Sequence, residues 1–278
     1  MTEKETEQNM LMEFIADTCK IDINEKIDYP PVCLSYGEKV LQSDKGDSII
    51  PISLGTFGNL SVITAPPKTR KSFFCSLLAS AYLSGSNIYG GQIKGHRGNG
   101  DLIYIDTEQG SWHASKVFRR PLDMDSNIPK DKYHTFALRT ISFKERLEFI
   151  EYYLKENIKE PSLLIIDGVA DLCADVNNIE QSNQLVSSLM RLSQQQNVHI
   201  ICVIHQNYGS QKLGTGHLGR ALEKKAETVI SLEANTVNKN WVTVKCGRSR
   251  GYSFETFSFE VNEKGLPTIV NDLYDPLK

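Results

Sequence analysis

No apolar run in this 278-residue sequence approaches the length of a bilayer span, so a membrane-spanning helix is not expected. Cysteine is sparse and scattered. Cys19, Cys33, Cys75, Cys173, Cys202 and Cys246 include no C-x-x-C pair, which argues against a zinc site or a disulfide framework and fits a reducing, cytoplasmic setting. An excess of either charge is also lacking: 31 Lys and Arg against 34 Asp and Glu leave a net charge of −3. Any nucleic-acid site must then be a local patch or loop rather than a global basic surface. The polar start, MTEKETEQN, has no apolar stretch of the kind a secretory leader needs. There is no internal repeat and no low-complexity tract.

What is present is the composition of an ordinary globular protein, 40% hydrophobic and 23% charged, long enough to bury a full core. Residues 1–48 differ from the rest. Met10–Cys19 has Leu11, Phe14 and Ile15 on one helical face, and a Pro30-Pro31 pair and a polar stretch follow. This span is expected to be an arm or linker, with one domain over residues 49–278. From Ile49 the pattern alternates strand and helix. Strands are predicted at Leu60–Thr64, Leu102–Ile105, Leu163–Ile166 and Val198–Ile204, and helices at Lys71–Ser84, Phe143–Asn157 and Ile179–Gln195. Ser142 and Glu145 form an S-x-x-E capping box before the second helix. Thr228–Leu232, Trp241–Lys245 and Thr256–Val261 read as later strands, joined by turns at Val237–Asn240 and Gly247–Gly251. Glycine-rich Gly90–Gly100 reads as an exposed loop. The expected fold class is α/β: a mainly parallel twisted sheet flanked by helices, with antiparallel edge strands.

In such a sheet, ligands bind where strands end. After the first strand comes Ala65, Pro66, Pro67, Lys68, Thr69, Arg70, Lys71, Ser72 and Phe73. A strand, a tight loop ending in Lys-Ser and a helix is how a P-loop cradles nucleotide phosphates on backbone N–H groups. Both glycines of that pattern are missing here: Ala65 stands in the first place and Arg70 in the second. The other strand ends supply Asp106-Thr107-Glu108, Asp167-Gly168 and His205-Gln206. Lys71 is the candidate to neutralise phosphate oxygens, and Ser72 and Asp167 to hold Mg²⁺ as oxygen ligands. Glu108 would orient or deprotonate water, and Gln206 would sense the outer phosphate. Taken singly, each has a bland alternative: Lys71 a solvated helix lysine, Glu108 a helix-start acid, Asp167 a common strand-end carboxylate. His205 reads as a satisfied core histidine. Arg70 either adds charge at the phosphates or obstructs them. Arg248 and Arg250, in a basic turn, are either a solvated hairpin tip or an arginine finger serving a neighbouring subunit.

These segments resemble the RecA-like P-loop NTPases, and within them the hexameric helicases of the DnaB and RepA type. YIDTE at 104–108 looks like the strand and catalytic glutamate of the recombinase branch, LIIDG at 164–168 like a Walker B strand, and IHQN at 204–207 like the motif before a DNA-binding loop. EKKAETVISL at 223–232 and the basic-x-basic pair Arg248 and Arg250 look like the helicase branch. The resemblance spans roughly Ile49–Val261. It implies ATP and Mg²⁺ as cofactors and a homo-oligomeric ring, a hexamer, whose N-terminal arm packs on a neighbour. It also implies single-stranded DNA contacts at Asp171–Asn183 and Asn207–Arg220, with replication or mobilisation proteins of a mobile element as partners. A regulatory or assembly switch acting on a protein partner is the alternative, and a small-molecule kinase a third.

Overall fold

Strands whose residues are apolar without alternation belong in a sheet covered on both faces, and the central strands here are of that kind. The computed structural model describes residues 3–43, 46–85, 92–206 and 214–270. By contacts the chain divides into two units, residues 1–30 and 31–278. In the first, α1 (Glu3–Cys19) extends well before the predicted Met10, and residues 4–30 are all exposed.

The second unit contains β1 (Val32–Leu41), β2 (Ser48–Thr56), β3 (Leu60–Ala65), α2 (Lys71–Ser84), β4 (Ile93–Gly95), β5 (Leu102–Asp106) and α3 (Ser111–Met124). There follow β6 (Tyr133–Ala137), α4 (Phe143–Asn157), β7 (Ser162–Asp167), α5 (Ile179–Gln195), β8 (Val198–His205) and α6 (Gly216–Lys225). The chain then forms β9 (Thr228–Ala234), β10 (Trp241–Ser249), β11 (Phe257–Val261) and β12 (Pro267–Val270). Among the described residues the main sheet has the order β12-β11-β10-β9-β3-β8-β7-β5-β6. From β9 to β6 every neighbouring pair is parallel, and β10, β11 and β12 close the edge antiparallel. This is the expected α/β architecture.

Side chains alternate between two buried layers, as the two-residue period of a strand requires. Ile63, Tyr104 and Ile165 pack with Phe74 and Leu78 of α2. Val62, Ile103 and Ile166 pack with Leu154, Leu189 and Leu222 of α4, α5 and α6. The Ser142–Glu145 capping box is formed, with Glu145 N donating to Ser142 Oγ at 3.4 Å and Ser142 N to Glu145 Oε2 at 3.2 Å.

Three expectations need correction. Val32–Leu41, inside the span assigned to the arm, is a strand of the second unit, pairing with β2 and β4 in a small antiparallel sheet. The exposed-loop reading of Gly90–Gly100 fails at β4, whose Gly95 lies so close to α2 that a Cβ would stand 2.3 Å from the Ala81 carbonyl. Residues 90–91 of that loop are outside the described residues. The basic segment expected to be a turn at Gly247–Gly251 continues β10 as far as Ser249, with a bulge between Cys246 and Arg248.

Candidate nucleotide site at the strand ends

β3 is buried along its whole length in the middle of the sheet, so Ala65 delivers the chain to a fixed point at the C-terminal end of a central strand. The loop that follows bends back on itself: Thr69 Oγ1 donates to the Pro66 carbonyl at 2.8 Å. Lys68 and Arg70 both adopt the left-handed conformation, with φ of 64° and 57°. Arg70 does so at the N-cap of α2, in the place where the phosphate-loop pattern has glycine. That conformation costs a non-glycine residue about 1–2 kcal/mol.

A cavity of about 430 Å³ opens here, lined by Lys68–Phe73 of the loop together with Asp106, Glu108, Asp167, Arg120 and His205. Ala65, Pro66 and Pro67 are not part of its lining. A larger groove of about 680 Å³ lies between α5 and α6, flanked by His217, Arg220, Lys224 and Lys225, and contains none of the strand-end carboxylates.

Parallel register explains the convergence. Asp106 is level with Asp167, Asp167 with Val203, and Ala65 with His205, so β5 and β7 finish together and β3 and β8 run two residues further at the same end of the sheet. Ser72 Oγ donates to Asp167 Oδ2 at 2.7 Å, and Tyr104 OH reaches the same oxygen at 3.3 Å. Burial pushes the Asp167 carboxyl up to about 6, against the Ser72 hydrogen bond. Asp106 is also buried, and burial raises it. Its Oδ1 accepts from the backbone N–H of Glu108 at 3.0 Å and of Gln109 at 2.7 Å, which fixes the turn that presents Glu108.

Lys71 is 9% exposed, and its Nζ lies 2.9 Å from His205 Nδ1. Burial lowers the ammonium, while Glu108 and Asp167 oppose the shift. Lysine has only donors, so Nδ1 accepts and the ring proton sits on Nε2. That nitrogen is 3.5 Å from Glu108 Oε1. The hydrogen bond from His205 holds the Glu108 carboxyl below its ordinary value. Lys71, His205 and Glu108 therefore form one chain of polar contacts across the mouth of the loop.

The sequence reading puts His205 in the core and Gln206 in the site, and the structure reverses both. The His205 side chain is 38% exposed and enters the cavity. The Gln206 side chain is 5% exposed, and its Nε2 donates to Thr64 Oγ1 at 3.1 Å. The two-residue period of β8 turns adjacent side chains to opposite faces, and the register puts His205, not Gln206, beside the loop. Its position as the last residue of a strand is the available signal. Arg120 of α3 also escapes the sequence reading. Its guanidinium lies 3.8 Å over the Phe73 ring, donates to Ser76 Oγ at 2.9 Å and reaches the Ser72 carbonyl at 3.3 Å. No spacing rule in the sequence connects a helix arginine to a hydroxyl 44 residues earlier.

Arg248 and Arg250 are not brought to this cavity. Arg248 is paired with Val229 and Ser249 with Thr228, level with Ser61 at the start of β3, whereas the loop follows its end. Arg250 donates to the Lys225 carbonyl at 2.9 Å. Of the two expected DNA segments, Asp171–Asn183 begins at a carbonyl that Arg146 Nη1 holds at 2.8 Å. Its Val176 carbonyl accepts from Leu218 N at 3.0 Å, which joins it to the second segment. Residues 207–213 of that second segment lie outside the described residues.

The residues present fit a magnesium nucleotide. The donors at Ser72 and Asp167 are hard oxygens, and the helix N-terminus with Lys71 suits an anion. Among the described residues no cluster of three or more His, Cys, Asp or Glu could hold a metal by itself. No described helix is long and apolar enough to cross a membrane.

No curated protein matches the sequence. Among solved structures, one described as an ATPase domain superposes with a TM-score of 0.55 at 16% identity, covering 77% of this chain and 85% of that one. The flagellar accessory protein FlaH from Methanocaldococcus jannaschii gives 0.55 at 15% identity, covering 77% and 90%. Identities this low speak for the fold alone. A model described as an AAA domain matches residues 52–211, more than half the chain and all four strand ends of the site. The chain belongs to this AAA domain family and has the fold of the RecA-like P-loop ATPases.

Proposed function

We propose that this protein is a Mg²⁺-dependent ATPase that works as a homo-oligomeric ring on single-stranded DNA, as a helicase or remodelling motor in replication or transfer of a mobile element. The observation that carries the ATPase proposal is the convergence of Lys71, Ser72, Glu108, Asp167 and His205 at one end of a parallel sheet. The ring, with Arg248 and Arg250 serving the neighbour's site, rests on the resemblance and on their distance from the chain's own cavity. The DNA proposal rests on the joined segments around Val176 and Leu218 and on the basic side chains of α6 beside them.

In this proposal phosphoryl transfer is mainly positioning and charge stabilisation. The loop N–H groups and Lys71 hold the phosphates. Ser72 and Asp167 would hold the metal, whose chemistry when bound would be to neutralise charge on phosphate oxygens. Glu108, kept ionised by His205, accepts a hydrogen bond or proton from the attacking water. His205 touches both the lysine and the glutamate, so it takes the sensing role that the sequence suggests for Gln206. The left-handed Lys68 and Arg70 favour a second proposal, a nucleotide-dependent switch with slow turnover acting on a protein partner.

Steady-state hydrolysis with Mg²⁺, with and without single-stranded DNA, tests both. Glu108→Gln is expected to keep nucleotide binding and lose about 10²–10⁴-fold in turnover. Lys71→Ala is expected to lose binding. Turnover that rises with DNA supports the motor. Binding without turnover, indifferent to DNA in a confirmed oligomer, rejects it and leaves the switch.

A further inference from the structure

The substitution of arginine for glycine at position 70 brings with it a contact no glycine could make. Arg70 Nη1 donates to the backbone carbonyl of Asn240, 170 residues away, in the turn between β9 and β10. That turn is itself well braced. Asn235 Oδ1 accepts from the N–H groups of Val237 and Asn238, both at 2.9 Å, and Asn238 Oδ1 accepts from Asn240 N at 2.9 Å. Asn235 N donates to the Trp241 carbonyl and Trp241 N to the Asn238 carbonyl. A pull on Asn240 is therefore felt at Trp241, the first residue of β10, whose indole Nε1 is bonded to Glu260 at 3.0 Å. At its other end β10 carries Arg248.

Arg70 also lines the cavity. A guanidinium has five N–H donors in a rigid fork, and one carbonyl occupies only one of them. The remaining donors are suited to an anionic oxygen, which binds a guanidinium more strongly than a neutral acceptor does. Left-handed backbone at residue 70 is thus a cost that this chain retains together with a specific side-chain contact.

We infer that Arg70 is a positioning residue that couples the phosphate loop to the β9–β10 turn, one edge of its guanidinium on the Asn240 carbonyl and the other taking a phosphate oxygen. Nucleotide binding is thereby transmitted to Trp241 and to the strand that bears Arg248. This rests on the ATP-site proposal above but is separable from it.

The protein contains two tryptophans, so Trp112→Phe in the full chain leaves Trp241 as the sole indole reporter. Emission is followed during titration with Mg-ATP, while calorimetry measures binding independently. The expected result is an emission change that tracks occupancy. Arg70→Gly, which suits the left-handed backbone but gives up the phosphate contact, should bind ATP more weakly and, at saturating ATP, lose that change. Arg70→Lys should keep much of the affinity but not the change, because a point charge cannot hold both acceptors as a fork does. Binding by calorimetry with Trp241 silent, or a full emission change in Arg70→Gly, overturns the coupling and leaves the ATP site intact. Absence of binding by calorimetry overturns the ATP site and the coupling with it.

Discussion

At Asp167 a cost in folding stands against the metal-holding role proposed for it. Its carboxyl is buried among Tyr104, Ser72 and a strand edge, and burial raises it from 3.8 to about 6. Between those values the folded protein binds a proton that the unfolded chain does not, so stability falls as pH rises through that window. Above pH 6 the ionised group is a net cost, bounded at about 3 kcal/mol by the size of the shift. Asp167→Asn is therefore expected to raise the thermal midpoint at neutral pH without nucleotide, with the gain disappearing below about pH 4. Thermal melts of both proteins across pH 3.5–8 check this. An equal midpoint difference at all pH values would remove burial as the cause. His205 makes a related point, since its neighbours Lys71 and Glu108 lie 134 and 97 positions away in the chain.

At the scale of elements, local chemistry is legible where it is self-contained. The limits of α2, α4 and α5 match the predicted residues: α2 is an apolar run buried nearly all round, α4 and α5 carry an apolar stripe, and both of these have a side-chain N-cap. Ser142→Ala is expected to lower stability by about 1 kcal/mol and leave nucleotide binding unchanged, measurable by denaturant titration. The elements not predicted have weak or masked signals; α3 and α6 do carry a helical apolar period, but it is obscured. β6 is an edge strand with half-buried residues. β1 and β2 pair with register shifts that break their alternation. α3 contains Pro121, which reads as a helix breaker. α6 follows residues rich in glycine and has only ten residues.

For the whole molecule the decisive test is whether one chain makes a complete site. Arg248 is exposed at the opposite end of the sheet from the loop, so it adds nothing to the chain's own cavity and is proposed to serve a neighbour's. Arg248→Ala is expected to cost turnover roughly 10³-fold or more while sparing ATP affinity. Mixed with inactive Glu108→Gln, it should recover activity, because some interfaces then pair an intact glutamate with an intact arginine. No recovery in co-assembled oligomers would place Arg248 outside the reaction. In the first unit Leu11, Phe14, Ile23 and Tyr29 are more than half exposed, and the proposed packing of this arm on another copy would cover them.

The sequence by itself determined the α/β class, the order of the central strands and helices, and the residues that end each strand. Those depend on periodicity and capping, which are local properties. It also placed Lys71, Ser72, Glu108 and Asp167 in one site, because parallel strands in a two-layered sheet finish on the same side. Only tertiary structure decided between His205 and Gln206, since register against β3 sets which side chain faces the loop. The same holds for Arg120 against Phe73, and for Arg70 reaching Asn240: long, flexible side chains meet partners that chain spacing does not encode, and packing alone brings them together.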